Sequence, residues 1–487
     1  DASLAGITFG IWNMNSNPVF VNGTEYPAGS EIVALRMVTD ESGYATTKGK
    51  VTGGSLPVGK YQIREVSSND SMQKTDTSVI EFEIRGDGSG IVLADGTVLP
   101  RNNDNPPVIT ARETNSYTAR DNVVEGGIEV QKVDADTGTT EVSGDATFEG
   151  AVFSIINASE EAVTNRNRQS IPTAKEALGE GNPSYEDLMA AIEAGSLVQT
   201  ITTNENGYAS TGLRDLPYGT YYVIETAAPE GYLVNTEWIK KVEIRKQGVF
   251  VSLLSEPCAD TPIKGGVKVQ KFDYMRDTDQ PHGDTNLAGA EFTIVNASKN
   301  AITNIEGQKI PTSGISGNVT YSQIRAAAAE STVQVLTTDA LGDAQTGDHD
   351  LPYGTYYIIE TKAPEGYSVN TGWIGEVVVR EDGVIYEPVV VQKGIHDESN
   401  HDENEAHDVN GPDVIANDGH GYAANNQIYR AGIIVDKIDL EMGDATSQGE
   451  GTLAGAEFTI INVSAASVRN AAGEDIPAAE VSDTPTY

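Results

Sequence analysis

The residues in this sequence best suited to chemistry are lysines, glutamates and Asp or Asn residues that recur in register. A lysine amine attacks a carbonyl group only when it is neutral, and burial among apolar side chains lowers its pKa. The same burial raises the pKa of a carboxyl group, so a nearby glutamate can polarise a carbonyl and shuttle protons. The set comprises Lys132, Lys271 and Lys437, the glutamates Glu65, Glu225 and Glu360, and the carbonyl-bearing Asp121, Asp260 and Asn426.

The spacing of these residues is regular. An Asp or Asn stands eleven residues before each of the three lysines. An isolated lysine and glutamate would more often form a surface salt bridge, and a repeat can preserve spacing without any chemistry. Repetition in one register, with an acceptor at a fixed offset, favours a reaction instead. The change from Asp to Asn at position 426 agrees with this interpretation, because both side chains can accept an amine.

Three motifs define an internal repeat. The first, Leu-Pro-Tyr-Gly-Thr-Tyr-Tyr-x-Ile-Glu, lies at 216–225 and 351–360, with a divergent copy ending at Glu65. Both full copies continue into Ala-Pro-Glu-Gly-Tyr and then into Val-Asn-Thr-x-Trp, which we expect to be a strand. The second motif, Gly-x-x-x-x-Lys-x-Asp, marks domain starts at 127–134, 266–273 and 432–439. The third motif, x-x-Gly-x-x-Phe, occupies 148–153, 287–292 and 453–458, and it also opens the chain at 4–9.

These motifs divide the chain into four units. Residues 1–125 form a divergent domain without its first strand, 126–264 and 265–430 are complete domains, and 431–487 are the truncated start of another. Apolar–polar alternation between Gly, Asn and Asp turns predicts strands, and many such strands predict β-sandwiches. The capping boxes Ser184-x-x-Asp187 and Thr320-x-x-Gln323 predict one short helix in each complete domain. We expect this helix to be a crossover without a chemical role.

Composition restricts the possible partners. Acidic residues number 72 against 32 basic ones, and a net charge of −40 would repel phosphate backbones and anionic lipids. Because Cys258 is the single cysteine, no disulfide can form within the chain. No apolar stretch is long enough to span a membrane. The chain has no signal peptide at Asp1 and no wall-anchor signal at Tyr487, so we expect a fragment or a processed protein.

The Tyr-x-x-x-Glu-x-x-Ala-Pro-x-Gly-Tyr box at 221–232 and 356–367 resembles the signature of a known family. That family comprises the B-type repeats of Gram-positive collagen adhesins and the related sortase-assembled, SpaA-like pilin domains. The resemblance covers almost the whole chain. It implies an all-β chain of tandem immunoglobulin-like, or prealbumin-like, sandwiches at the bacterial cell surface, with a short helical insertion in each middle domain.

The resemblance also implies an intramolecular isopeptide bond between the first and last strands of a domain. The implied sets are Lys132 with Asp260 and Glu225, and Lys271 with Asn426 and Glu360. In the first unit Glu65 and Asp121 match the pattern, but their lysine is absent. In the last unit Lys437 matches, but its partners are absent.

The function expected from this resemblance is structural. The chain would be an extracellular stalk or shaft segment of an adhesin or pilus, with neighbouring repeats as partners and no cofactor. Each domain would react only once, and no Ser/His/Asp arrangement, metal motif or phosphate loop repeats, so we expect no enzyme with turnover. The Tyr-Pro-Ala-Gly segment at 26–29 lacks a pilin-motif lysine, which ranks an adhesin stalk above a polymerising pilin.

Two alternative functions remain. The helical insertions, or the acidic loop at 396–420, could bind a host protein or glycan, although no aromatic cluster or basic groove supports this. The strand carrying Lys437 could instead complete the first domain of another copy and bond to Asp121, giving head-to-tail fibres. The duplication of the third motif at 4–9 and 453–458 argues against such complementation.

Several weaker signals have simple interpretations. The acidic loop contains His396, His401, His407 and His420, which would suit a metal, but a solvated loop is preferred and we expect no metal site. The glycosylation sequons at 157–159 and 296–298 recur because the strand recurs. Cys258 is interpreted as incidental, and Trp238 and Trp373 are expected to pack in or against the sandwich.

Overall fold

The structure is a computed structural model that describes most of the chain. The described residues are 2–47, 49–50, 56–74, 79–86, 90–96, 98–99, 121–179, 181–273, 281, 283–317, 319–392, 423–426, 428, 432–470 and 472–480. They form two compact units. The first comprises Asp1–Lys132, Glu149–Ala228 and Val234–Ala259, and the second comprises Val133–Phe148, Pro229–Leu233 and Asp260–Tyr487.

The first ten strands belong to the divergent N-terminal domain. They are β1 (Thr8–Asn13), β2 (Val19–Val21), β3 (Thr24–Tyr26), β4 (Met37–Val38), β5 (Gly59–Ser67), β6 (Met72–Gln73), β7 (Ile80–Arg85), β8 (Gly90–Leu93), β9 (Val98–Leu99) and β10 (Asn122–Val123), with a 3-10 helix at Val33–Leu35. The main sheet has the order β4-β1-β5-β7-β8-β9. Its core is built around Ile11, Leu35, Tyr61 and Phe82.

The next eleven strands build the first complete domain. They are β11 (Glu125–Asp134), β12 (Val152–Asn157), β13 (Val163–Thr164), β14 (Ser170–Ile171), β15 (Leu197–Thr202), β16 (Tyr208–Ser210), β17 (Leu216–Pro217), β18 (Gly219–Ala227), β19 (Ile239–Ile244), β20 (Phe250–Ser252) and β21 (Cys258–Asp260). In one sheet β11 pairs with β16, β17, β20 and β21, and the other has the order β15-β12-β18-β19. Ile128 and Val130 of the first sheet pack in one core with Phe153 and Val223 of the second. The domain is therefore a β-sandwich.

The following twelve strands repeat this architecture. They are β22 (Lys264–Asp273), β23 (Glu291–Asn296), β24 (Ile302–Thr303), β25 (Lys309–Ile310), β26 (Thr332–Thr337), β27 (Asp343–Gln345), β28 (Leu351–Pro352), β29 (Gly354–Lys362), β30 (Ile374–Val379), β31 (Ile385–Tyr386), β32 (Val389–Gln392) and β33 (Ala423–Asn426). Strand β22 pairs with β27, β28, β31 and β33, opposite a sheet of order β26-β23-β29-β30-β32. Val267 and Val269 face Phe292 and Ile358 in the shared core.

Short helices occur in both complete domains at the predicted capping boxes, and the first of these domains has one additional helix without a capping box. The additional helix is α1 (Lys175–Leu178), and the other two are α2 (Tyr185–Ala191), which continues into a π-helical turn at Ile192–Ser196, and α3 (Tyr321–Ser331). Ser184 and Thr320 each accept a backbone N–H three residues on, and both capping boxes are complete. Leu188 and Ile324 bury the apolar faces of α2 and α3 against their sheets. No helix among the described residues is long and apolar enough to cross a membrane.

Two local expectations differ from the structure. The Val-Asn-Thr-x-Trp segments are turns rather than strands, and strand pairing begins only at Ile239 and Ile374. The asparagine of the motif explains the turn, because its side chain accepts backbone N–H groups two or three residues on. The tryptophans that end these segments pack edge-on against Phe153 and Phe292, as expected for core residues.

The start motif at 432–439 does not form a strand. Its apolar residues are exposed, with Ile434 92% accessible, and Lys437 also faces solvent. An amphipathic strand is stable when a sheet covers its apolar face, and the described residues of 432–480 pair only as β34 (Val468–Arg469) with β35 (Asp475–Ile476). The motif alone is therefore insufficient to specify the strand.

Candidate functional site

The first candidate site joins the two sheets of the first β-sandwich, which is built from β11–β21. Lys132 Nζ on β11 lies 2.5 Å from Glu225 Oε1 on β18, and both side chains are fully buried. Lys132 takes the inward position that follows Ile128 and Val130, since alternate residues of a strand face the same side. The amine therefore lies in the interior between the two sheets, away from water.

The glutamate occupies a bulged position in its sheet. Phe153 on β12 pairs with Glu225, and the register shifts between Val152 and Phe153. Such a bulge re-aims neighbouring side chains. The Phe153 ring lies under the lysine, with its centroid 5.6 Å from Nζ. The bulge thus directs the Glu225 carboxyl group towards the Lys132 amine, and the Phe153 ring lies against that amine.

Asp260 belongs to the same buried cluster. It ends β21, which pairs with β11, and its carbonyl oxygen accepts the N–H of Ala135 at 2.9 Å. One carboxylate oxygen from each of Glu225 and Asp260 and the Sγ of Cys258 lie within 4.8 Å of one another. Since Glu225 also contacts Lys132, the amine, the glutamate carboxyl group and the proposed acceptor belong to one buried cluster.

Backbone and hydroxyl donors hold the glutamate in place. Glu225 Oε2 accepts the N–H of Asn235 at 2.8 Å, and Asn235 Nδ2 donates to the carbonyl of Ala259 at 2.6 Å. The hydroxyl of Tyr185 donates to the Glu225 carbonyl oxygen at 3.0 Å. Tyr185 begins α2, so the helix contacts the backbone of the glutamate, and the expectation that it has no chemical role stays a prediction. The signal for this contact was the tyrosine that follows both capping residues.

The β-sandwich built from β22–β33 contains the same arrangement. Lys271 Nζ lies 3.2 Å from Glu360 Oε1, and both side chains are fully buried. Glu360 Oε2 accepts the N–H of Asn370 at 2.6 Å, and Tyr321 donates to the Glu360 carbonyl at 2.8 Å. Burial lowers the pKa of Lys271 to about 8, although Glu360 opposes this shift. A substantial fraction of this amine is therefore neutral at mildly alkaline pH.

Asn426 is placed by its backbone. Strand β33 runs parallel to β22, with Ala424 opposite Lys271 and Asn426 opposite Asp273. The acceptor position is thus opposite the residue two positions after the lysine. The side chain of Asn426 lies outside the described residues.

A second pair of buried groups accompanies each site. Tyr232 donates to Asp134 Oδ2 at 3.0 Å, and Tyr367 donates to Asp273 Oδ2 at 2.7 Å. Burial raises the pKa of both Asp134 and Tyr232. Sequence reasoning missed this pair, although its signal was present: an Asp two residues after each start-motif lysine and a Tyr ending each Ala-Pro-Glu-Gly-Tyr segment.

The first domain keeps part of the pattern. Glu65 is 7% exposed and pairs with Phe9 next to a register shift, which repeats the geometry of Phe153 and Glu225. Asp121 accepts a hydrogen bond from Ser68 Oγ at 2.9 Å. The Nζ of Lys74 donates to the backbone carbonyl of Glu65 at 2.7 Å. The glutamate and aspartate are therefore present in a domain whose sequence has no start-motif lysine.

Two places in the chain are candidates for a metal ion, the cluster of Glu225, Cys258 and Asp260 and the acidic loop at 396–420. Glu225, Cys258 and Asp260 are close enough to share an ion, but Lys132 Nζ is 2.5 Å from Glu225 and 3.5 Å from Cys258 Sγ. A lysine amine in that position competes with any cation. Cys258, which we interpreted as incidental, thus contacts the lysine. The acidic loop at 396–420 lies outside the described residues.

The fold and this site define a class of β-sandwich domain with a buried lysine and glutamate between its sheets. The sequence model of the family described as SpaA: Prealbumin-like fold domain matches residues 1–97, 126–256 and 275–393, more than half of the chain. The chain therefore belongs to this family of prealbumin-like domains. No curated protein sequence matches the chain.

Several solved structures are similar to this chain. The Bacillus anthracis TIE protein is 20% identical with a TM-score of 0.39, over 79% of this chain and 46% of that one. The chain thus spans less than half of that protein's length. The Streptococcal ancillary pilin is 17% identical with a TM-score of 0.20, over 88% and 94% of the two chains. The shaft pilin spaA from Lactobacillus rhamnosus GG is 16% identical with a TM-score of 0.21, over 56% and 99%.

Proposed function

We propose that the chain is a segment of an extracellular stalk or shaft on a Gram-positive cell surface, whose complete domains lock themselves with internal amide bonds. The observation that carries this proposal is the fully buried contact of Lys132 with Glu225, with Asp260 in the same cluster. A buried ion pair stabilises a sandwich poorly, because each charge loses its hydration. A condensation between the lysine and the aspartate would remove both charges from the interior, which explains why these groups are buried together.

The reaction in the first complete domain forms a bond between Lys132 Nζ and Cγ of Asp260. The neutral amine attacks this carbon, and the bond from Cγ to one carboxylate oxygen breaks. The proton that the ammonium loses passes through Glu225 to the Asp260 carboxylate, so that a neutral amine and a carboxylic acid become one amide and one water, and atoms and charge balance. Glu225 accepts protons from the nitrogen, passes them to the departing oxygen and ends unchanged. Because the fold places the groups in one buried cluster, they can react without the entropic cost of an encounter.

The second complete domain would use Asn426 as acceptor. Strand register supports this pairing, since β33 lies directly beside the lysine-bearing β22. The amine of Lys271 attacks Cγ of Asn426, and ammonia leaves instead of water. The pKa of about 8 for Lys271 favours the reaction, because much of the amine is neutral near that pH.

The division into domains at 1–125, 126–264, 265–430 and 431–487 belongs to this proposal.

A bond from Lys132 to Asp260 would close a loop of 128 residues. By analogy with a disulfide, it would stabilise its domain by about 5 kcal/mol through the unfolded state. It would also connect the first and last strands, so a pulling force passes through the bond and unfolding becomes slow. Neighbouring repeats are the proposed partners, and the chemistry is a single turnover.

Peptide mapping tests the proposal. The unreduced chain is digested under denaturing conditions, and branched peptides are sequenced by tandem mass spectrometry. We expect one branched peptide that joins Lys132 to Asp260 and another that joins Lys271 to Asn426. Recovery of the four residues only in linear, unmodified peptides would refute the bonds.

A further inference from the structure

A second repeated arrangement lies outside the isopeptide sites. We propose that the Gly-Asp pair preceding the third motif is a docking element, which binds the Asn-x-Ser turn of the following repeat in the same chain. This turn is the segment that sequence analysis noted as a glycosylation sequon at 296–298. The proposal concerns contacts within the second compact unit, which contains both 133–148 and 260–487.

Backbone hydrogen bonds form the first part of the docked pair. The N–H of Gly144 donates to the carbonyl of Ala301 at 3.1 Å, and the N–H of Asn300 donates to the carbonyl of Gly144 at 3.0 Å. The N–H of Asp145 donates to the carbonyl of Tyr353 at 3.1 Å. The short loop therefore pairs with the following repeat as an edge strand would, through backbone N–H and carbonyl groups, which do not depend on side-chain identity.

The Asp145 carboxylate supplies the specific part. Its Oδ1 accepts the N–H of Lys299 at 2.9 Å, and its Oδ2 accepts from Thr355 Oγ1 at 2.7 Å and from Arg380 Nη2 at 3.1 Å. The Arg380 guanidinium also stacks over the Tyr353 ring, 4.4 Å from its centroid. The carboxylate is only 10% exposed. Charge-assisted bonds in such a shielded place are stronger than neutral ones.

Two of these contacts recur one repeat further along. The N–H of Gly283 donates to the carbonyl of Ser467 at 3.1 Å, and Asp284 Oδ1 accepts the N–H of Ala465. Gly283 and Asp284 stand where Gly144 and Asp145 stand in the preceding repeat, and Ala465 stands where Lys299 does. Two separate occurrences of one geometry, on different sequences, indicate a conserved mode of docking within this chain.

The asparagine of the turn fixes its shape, as Asn157 does in the preceding repeat. Asn296 Oδ1 accepts the N–H of Ser298 at 3.0 Å, and its Nδ2 donates to the carbonyls of Asn300 at 3.1 Å and Ile310 at 3.2 Å. Asn462 makes the equivalent bonds in the last unit. Asn296 is fully buried, so its amide cannot accept a glycan in the folded domain. The Asn-x-Ser sequence thus shapes a turn, and the residue that follows it, Lys299, donates its N–H to Asp145.

Gly144 offers a sharp test, because a side chain there would strike only the docked partner. It has a φ of 60°, and an added Cβ would overlap the carbonyl oxygen of Tyr353. Gly138, in the same loop region, has a φ of 66° and open space around its Cβ position. G138A therefore reproduces the backbone strain of G144A without the clash. At Gly283 an added Cβ would meet Val468 Cγ1 at 3.1 Å and Ser464 Oγ at 3.6 Å, which is a looser contact than the one at Gly144.

The experiment is hydrogen exchange of the full chain, followed by mass spectrometry of peptides covering 297–303. For G144A and for D145A we expect exchange of these amides to be roughly tenfold faster than in the unchanged chain. G138A should leave it unchanged, as should E141Q, which removes only an exposed ion pair with Lys309. Equal exchange in G144A and G138A, or protection unaffected by D145A, would overturn the proposal. The intact mass of each variant shows separately whether the amide bonds have formed.

Discussion

The two complete domains bury the same lysine and glutamate pair but differ in the residue that would accept the amine. Both place a buried lysine 2.5 or 3.2 Å from a buried glutamate, and both hold that glutamate by an asparagine N–H and a tyrosine hydroxyl. The acceptor is Asp260 in one and Asn426 in the other, and the residue two positions before it is Cys258 or Ala424. The comparison teaches that the lysine, the glutamate and their supports are constant, whereas the acceptor and its neighbour vary.

The largest difference between the domains should follow from removing one glutamate. E225A is expected to prevent the bond at 126–264 and leave the bond at 265–430 intact, and E360A should do the reverse. Loss of the cross-link should lower the unfolding free energy of the affected domain by about 5 kcal/mol. Denaturant unfolding with peptide mapping measures both effects. Loss of both bonds in either variant would show that the domains are not independent.

Removing the acceptor should reveal the titration of the buried amine. In N426A the pKa of Lys271 is about 8 when folded, against roughly 10.4 when unfolded. Below pH 8 both states bind the proton, but between pH 8 and 10 only the unfolded state does, so stability should rise with pH. The slope should reach about 1.4 kcal/mol per pH unit.

Chemical denaturation of N426A across this pH range measures the slope. The control carries K271M together with N426A and removes the titrating group. If both variants show the same dependence on pH, the depressed pKa of Lys271 is wrong.

Exchanging the neighbours of the lysine sharpens the comparison further. C258A gives the first domain the alanine of the second, and A424C makes the opposite change. We expect both bonds to form in each variant, with C258A costing about 1 kcal/mol for its buried volume. Mass spectrometry and thermal unfolding check this outcome. Failure of the bond in C258A alone would give the thiol a role in the reaction.

The smallest effect is expected at the helix. Y185F removes the hydroxyl that donates to the Glu225 carbonyl, and Y321F does the same beside Glu360. Each should cost about 0.5 kcal/mol, because only one partly exposed hydrogen bond is lost, and each bond should still form. Thermal unfolding of the two variants measures this cost. A complete loss of bond formation would mean that the helix positions the glutamate far more strictly.

The sequence predicts the sandwich, the helices and the positions of Lys132 and Glu225, because these depend on local periodicity and on motifs that repeat. It does not predict the contacts of Asn235 or Tyr185, since these are made by loops and a helix that approach the glutamate only after folding. Asp145 was missed for the same reason: its partners, Lys299 and Arg380, are more than a hundred residues away. The start motif at 432–439 shows the reverse case, where a strand pattern without a covering sheet stays extended and exposed.

The central claim is that folding fuses two side chains in each complete domain. The most direct test is the intact mass of the whole chain, measured in denaturant. The account predicts a mass lower than that of the sequence by one water and one ammonia together. A mass equal to that of the sequence would contradict it.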